Sequence, residues 1–97
     1  MPYIVVEGED FPRQTIPLDK PLRIGRRADN DLVINSAMIS RYHVRIEPTE
    51  DGWAMIDIGS ASGFYVNNER GGASRRMVEG DVFQVGHVRI RFYLNEP

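Results

Sequence analysis

The chain has 97 residues, 41% hydrophobic and 27% charged, and carries a formal net charge of −2. One soluble globular domain over residues 1–97 is expected, since domains typically hold about 100–150 residues and chains above about 40 build a core without covalent staples. With no cysteine, disulfides, thiol nucleophiles and cysteine-held metals are excluded; with no apolar run near the roughly 20 residues of a membrane span and no basic, apolar leader in Met1-Pro2-Tyr3-Ile4-Val5-Val6-Glu7, a cytoplasmic chain without a membrane partner is expected.

Strand-like patterning begins at residues 3–7 and 14–18, which bracket Gly8-Glu9-Asp10, and continues in short strands over 22–25 and 32–34. Tyr42-His43-Val44-Arg45-Ile46 and Trp53-Ala54-Met55-Ile56 alternate apolar residues. The polar stretch between them, with Pro48 and Asp51-Gly52, predicts a hairpin with a longer loop, and Trp53 is placed in the core. Phe64-Tyr65-Val66 runs into Asn67-Asn68, residues that tolerate positive φ, so a tight turn is expected there. The connection holding Gly71, Gly72, Arg75 and Arg76 shows no readable pattern. In DVFQVGHVRIRFYL, Val88, Ile90, Phe92 and Leu94 share one parity while Arg89, Arg91 and Tyr93 share the other, the mark of a half-buried strand. Gly86-His87 before it suits a type II′ hairpin turn. No stretch of about 10–12 residues has helical spacing, and nine glycines and six prolines punctuate the chain. The fold class is all-β, a β-sandwich whose loops at one end carry function.

Charge is distributed unevenly. Residues 20–45 hold six cations and two acids, a local net of +4, while the rest of the chain nets −6. The overall balance speaks against a nucleic-acid partner. Eleven of the twelve cations are arginine, whose planar fork matches phosphate in a bidentate way that an ammonium cannot. Loops at 25–31, 36–41 and 59–63 combine arginine, serine hydroxyls and glycine-rich backbone, the donors a phosphate monoester needs. The same residue types also build ordinary turns. Ser40, His43 and Asp57 have the composition of a hydrolytic triad, yet no Gly-x-Ser-x-Gly elbow surrounds the serine, so no catalytic residue is assigned. Two histidines without a ligand-spacing motif imply no metal and no cofactor.

The order Gly25-Arg26, Ser40-Arg41-Tyr42-His43, Asp57-Ile58-Gly59-Ser60-Ala61-Ser62-Gly63, Val66-Asn67-Asn68, Glu79-Gly80-Asp81 and Val85-Gly86 resembles the forkhead-associated (FHA) domain. GRRADNDLVI followed by ISRYHVRI carries most of the likeness, which spans nearly the whole chain. The resemblance implies a sandwich of about eleven short, mostly antiparallel strands that binds phosphothreonine-containing peptides at its loop end. It implies a signalling adaptor whose partner is a Ser/Thr kinase or a kinase substrate. Carried over by position, it makes Arg26 and Ser40 phosphate ligands and Arg41 a second cationic contact. It places Ser62, Gly63 and Asn67 in the phosphopeptide site, with Gly25 and His43 as structural support. The alternative for Arg26 is an internal salt bridge to Asp29 or Asp31, and Arg27 has no matching role.

One loop departs from the pattern. Where the family commonly has Thr-Asn-Gly, this chain has Ala61-Ser62-Gly63. Alanine offers no donor, and a serine hydroxyl replaces a carboxamide that donates twice and accepts as well. Two readings stand: a phosphothreonine-dependent adaptor, or an FHA-like fold turned to phosphate-independent protein association or self-assembly.

Overall fold

Period-two sequence becomes period-two burial. In the computed structural model, which describes residues 1–95, Val88, Ile90 and Phe92 are fully buried, while Arg89 and Arg91 between them face water. The eleven strands, in chain order, are β1 (Tyr3–Gly8), β2 (Phe11–Pro17), β3 (Leu22–Gly25), β4 (Leu32–Val33), β5 (Val44–Thr49), β6 (Gly52–Asp57), β7 (Tyr65–Val66), β8 (Glu69–Arg70), β9 (Ser74–Arg76), β10 (Val82–Val85) and β11 (Val88–Tyr93). They form a six-stranded sheet, β2-β1-β11-β10-β7-β8, and a five-stranded sheet, β4-β3-β5-β6-β9. Pairing is antiparallel except between β3 and β4. No helix occurs among the described residues, so none is long and apolar enough to cross a membrane.

The core lies between the sheets. Ile4, Val6, Phe83, Ile90 and Phe92 from one face Ile24, Val44, Ile46 and Met55 from the other. Burying each such side chain stabilises the fold by about 1.5–3 kcal/mol. Two turns follow from single residues. Gly86 has φ +60° between Val85 and its partner Val88, the sign a type II′ turn needs at its first central position. Asn67 and Asn68 both have positive φ, 50° and 71°, between Val66 and its partner Glu69, which matches a type I′ turn.

Four local readings change. The β5–β6 hairpin is tighter than expected, closing over Glu50-Asp51 with Thr49 opposite Gly52, and Pro48 stays in the strand opposite Trp53. Proline is tolerated because β3 ends its pairing at Leu22 opposite Ile46, so the missing N–H forfeits no ladder bond on that side. Trp53 is half-buried and packs against the edge of the core. Leu94 lies beyond the end of β11 and is 44% exposed. The patternless connection forms β9, an edge strand on β6.

This topology gathers the loops. β3 and β6 both run antiparallel to β5, so the segment after β3, the segment before β5 and the segment after β6 meet at one end. The β10–β11 and β1–β2 turns share an end as well, because Gly8 pairs with Val88 and Val85 with Val88. Gly86 lies against Ile39 and Met38 of the segment before β5, which brings both turns to the loop end.

Candidate functional site

The three loops are laced together from behind. His43 is fully buried; its Nδ1 accepts the Ser40 backbone N–H at 3.0 Å and its Nε2 lies 2.7 Å from the Gly63 carbonyl. A nitrogen that accepts carries no proton, so the proton sits on Nε2 and is donated to Gly63. His43 thus ties the second loop to the third. Backbone bonds from Arg26 N–H to the Ser40 carbonyl and from Arg27 N–H to the Arg41 carbonyl tie the first to the second. Asn30, 7% exposed, donates through Nδ2 to the carbonyls of both Arg27 and Arg41 at 2.9 Å.

Gly25 and Gly63 serve for different reasons. A Cβ on Gly25 would collide with the carbonyl of Arg41, so close backbone approach demands glycine there. Gly63 has φ +72°, a conformation costly for other residues.

The third loop is folded by Asp57. Its carboxylate accepts N–H groups from Gly59 at 3.0 Å and Ser60 at 2.8 Å, and the Ser60 hydroxyl at 2.9 Å. The Ser60 oxygen in turn accepts the Gly63 N–H at 2.8 Å. Partial burial pushes the Asp57 carboxyl upward, but the bonds from Ser60 and Gly59 outweigh it and hold the group below the ordinary carboxylate value. The Ser40 hydroxyl oxygen accepts the Ala61 N–H at 3.0 Å, leaving its own proton free to donate outward.

In front of this brace lies an open cleft of about 410 Å³ lined by Arg26, Ser40, Ala61 and Ser62, with Ala37, Met38 and Ile39 as its other wall. Arg26 is exposed, and both acids that could have claimed it are engaged elsewhere. Asp29 accepts the Tyr42 hydroxyl at 2.7 Å and lies 3.7 Å from Arg27; Asp31 accepts the Arg23 backbone N–H at 2.8 Å. The guanidinium groups of Arg23 and Arg27 each sit 5.9 Å from the centre of the Tyr42 ring, a cation–π arrangement. The hydrogen bond between Tyr42 and Asp29 lowers the Asp29 carboxyl and raises the Tyr42 phenol. Arg27 is therefore engaged by Asp29 of its own loop and Tyr42 of the next, and Arg26 lines the cleft without an ion-pair partner among the described residues.

The structure gathers Arg26, Ser40 and Ser62 around one cleft. Gly63 joins Ser62 on a neighbouring cleft with Tyr65, Asn68 and Gln84. Arg41 is exposed beside the site, and its carbonyl rather than its side chain makes the contacts recorded for it. Asn67 lies elsewhere: its Nδ2 donates to Asp81 at 3.0 Å and its Oδ1 accepts the Val82 N–H at 3.0 Å. That carboxamide braces the start of β10, and Asn68 takes the place beside the cleft. His43 bonds neither the Ser40 hydroxyl nor Asp57, so the three residues are not arranged as a nucleophile, base and orienting acid.

Asn30 and Ser60 have no assigned role from sequence. Asp57 two and three residues ahead of Gly59 and Ser60 has the spacing of an aspartate that caps its own turn, a signal that could have found the Asp57–Ser60 pair. No local pattern marks Asn30, whose partners lie in two different loops.

Residues 22–86 match the FHA domain family. The transcriptional regulatory protein EmbR of Mycobacterium tuberculosis is 34% identical over 86 residues, 89% of this chain and 20% of that protein. The oxoglutarate dehydrogenase inhibitor of Corynebacterium glutamicum is 34% identical over 76 residues, 77% of this chain and 52% of that one. This chain thus spans about a fifth of EmbR and about half of the inhibitor. The structure of M. tuberculosis EmbR in complex with a low-affinity phosphopeptide superposes with a TM-score of 0.85 at 27% identity, over 98% of this chain and 25% of that one. The FhaA FHA domain complexed with the intracellular domain of Rv3910 gives 0.78 at 26%, over 92% of this chain and 98% of that one. The family match covers two thirds of the sequence, and the chain belongs to the FHA domain family.

Proposed function

We propose that this domain is a phosphothreonine-dependent peptide-binding module acting in Ser/Thr kinase signalling. The observation that carries the reading is that Arg26, without an ion-pair partner among the described residues, lines one cleft together with Ser40. Arginine supplies two parallel N–H donors to phosphate oxygens, and serine adds a third donor. EmbR, similar in both sequence and structure, is known in complex with a phosphopeptide. Ser62, exposed and lining both clefts, takes the place beside the phosphothreonine from which a carboxamide would grip the peptide backbone, and Arg41 adds positive potential at the rim. Gly63 shapes the loop, and Asn67 acts through the fold rather than by touching ligand.

The reading includes no catalytic step, because the Ser40 oxygen already accepts from Ala61 and His43 serves two backbone groups. Its partners are proteins phosphorylated by a kinase, which works where ATP is held, so the setting proposed is cytoplasmic; cell fractionation tests that part. Calorimetric titration against matched phosphorylated and unphosphorylated peptide pools tests the function. Binding only to the phosphorylated pool, lost in Arg26→Ala, supports it. Equal binding to both pools, unchanged in Arg26→Ala, replaces it with phosphate-independent association, the use that the Ala61-Ser62 departure would favour.

A further inference from the structure

The phosphate cleft has an extension whose chemistry differs from its own. Met38, 60% exposed, lines the cleft of Arg26 and Ser40 and also lines a second groove of about 580 Å³ that runs to the β1–β2 turn. That groove has an apolar floor of Phe11, Ile34 and Met38 and an acidic rim of Glu9 and Asp10. Both carboxylates are exposed, and neither has an ion-pair partner among the described residues. Met38 lines both clefts, so the two adjoin at this side chain, with cationic donors on one side of it and carboxylates on the other.

Resting on the reading of this domain as a phosphothreonine-peptide module, the geometry points to a preference for a lysine or arginine in the same peptide, on the flank that leaves the phosphate cleft past Met38 toward Glu9 and Asp10. A long cationic side chain suits both parts of the groove. Its methylene stem lies on the apolar floor while its charged head reaches the rim, the usual arrangement of such side chains at apolar surfaces. Complementary charge also fixes direction: a peptide laid the opposite way carries its cation past Ser62 and Gln84, where the neighbouring cleft has no carboxylate. Discrimination of this kind is what electrostatic complementarity supplies at an interface.

The test uses phosphothreonine peptides in a neutral background with one lysine walked through each flanking position, titrated against wild type, the Glu9→Gln/Asp10→Asn pair and Arg26→Ala. The reading is the ratio of affinities with and without lysine in each protein. Asparagine at position 10 accepts the φ of 58° found there, so the paired substitution preserves the turn, which circular dichroism verifies. Lysine on one flank should tighten wild-type binding about three- to five-fold, the upper part of the range of exposed ion pairs, and the ratio should fall to about one in the paired variant. A ratio near one at every position in wild type, or a gain that survives in the paired variant, overturns the inference while leaving phosphate recognition intact. Failure of wild type to bind any phosphothreonine peptide overturns both.

Discussion

The loop end has two layers with opposite character. Behind, His43 spends both ring nitrogens and Asn30 its Nδ2 on backbone groups of the loops, Asp57 and Ser60 bond one another and their own loop, and His43 and Asn30 are buried. In front, Arg26, Arg41 and Ser62 are exposed, with side chains that hold no partner among the described residues. The rear layer uses its hydrogen bonds to hold loops in shape, and in the proposed reading the front layer keeps its own for a ligand. A site built this way is preorganised: the donors need little reordering when phosphate arrives, which lowers the entropic cost of binding. The difference also separates stability from affinity, so substitutions in the two layers should move different measurements.

The largest effect belongs to the rear. His43→Ala orphans the Ser40 N–H and the Gly63 carbonyl, each costing about 1–3 kcal/mol when left buried, so the Tm should fall by about 10 °C or more in differential scanning calorimetry. Phosphopeptide binding should weaken with it. A wild-type Tm with abolished binding would move His43 to the front layer.

Next is Arg26→Ala. Loss of charge-assisted bonds of about 1.5–3 kcal/mol should weaken phosphopeptide binding roughly ten- to hundred-fold, while an exposed substitution shifts stability by only about 0.5 kcal/mol or less. Calorimetric titration and a melting curve read the two sides. A matching fall in Tm would show that Arg26 belongs to the brace.

Asp57 sharpens the comparison through pH. Its carboxyl is held low in the folded protein, so its stabilising contribution is fully present above the unfolded value of about 3.9 and is lost as pH falls through the lower folded value. This titration should leave stability constant between pH 5 and 7, and Asp57→Asn should cost about 1 kcal/mol at pH 7 while flattening the decline below pH 4. Urea unfolding across pH 3–7 measures this. Binding has a separate dependence, because the second phosphate ionisation lies near about 6 and affinity should drop below it.

The smallest effect is a gain. Ser62→Asn should tighten phosphopeptide binding about two- to ten-fold, the worth of one hydrogen bond of about 0.5–1.5 kcal/mol, with Tm unchanged. Ala61→Thr should act through the phosphate, and because the positions adjoin, the double variant needs its own titration. No gain from Ser62→Asn beside tight wild-type binding would mean that the Ser62 hydroxyl already grips the peptide.

Sequence alone determined the sandwich and the turns that close it. Alternation in residues 88–92 puts Val88, Ile90 and Phe92 inside, because side-chain direction in a strand reverses at every residue and burial follows parity. The Gly86 and Asn67-Asn68 turns were equally legible, since tolerance of positive φ is a property of the residue itself. The motif order located the loops that carry the site. Only the tertiary structure decided what each side chain there does. Arg26 and Arg27 are adjacent and chemically identical, yet Tyr42, thirteen residues from Asp29, joins that acid in holding Arg27 and leaves Arg26 for the cleft. Asn67 and Asn68 are likewise interchangeable by eye, and the bond to Asp81, fourteen residues on, commits one to bracing and the other to the surface. Partners this far apart leave no periodic trace, because they meet only after the strands have paired and brought their loops to one end.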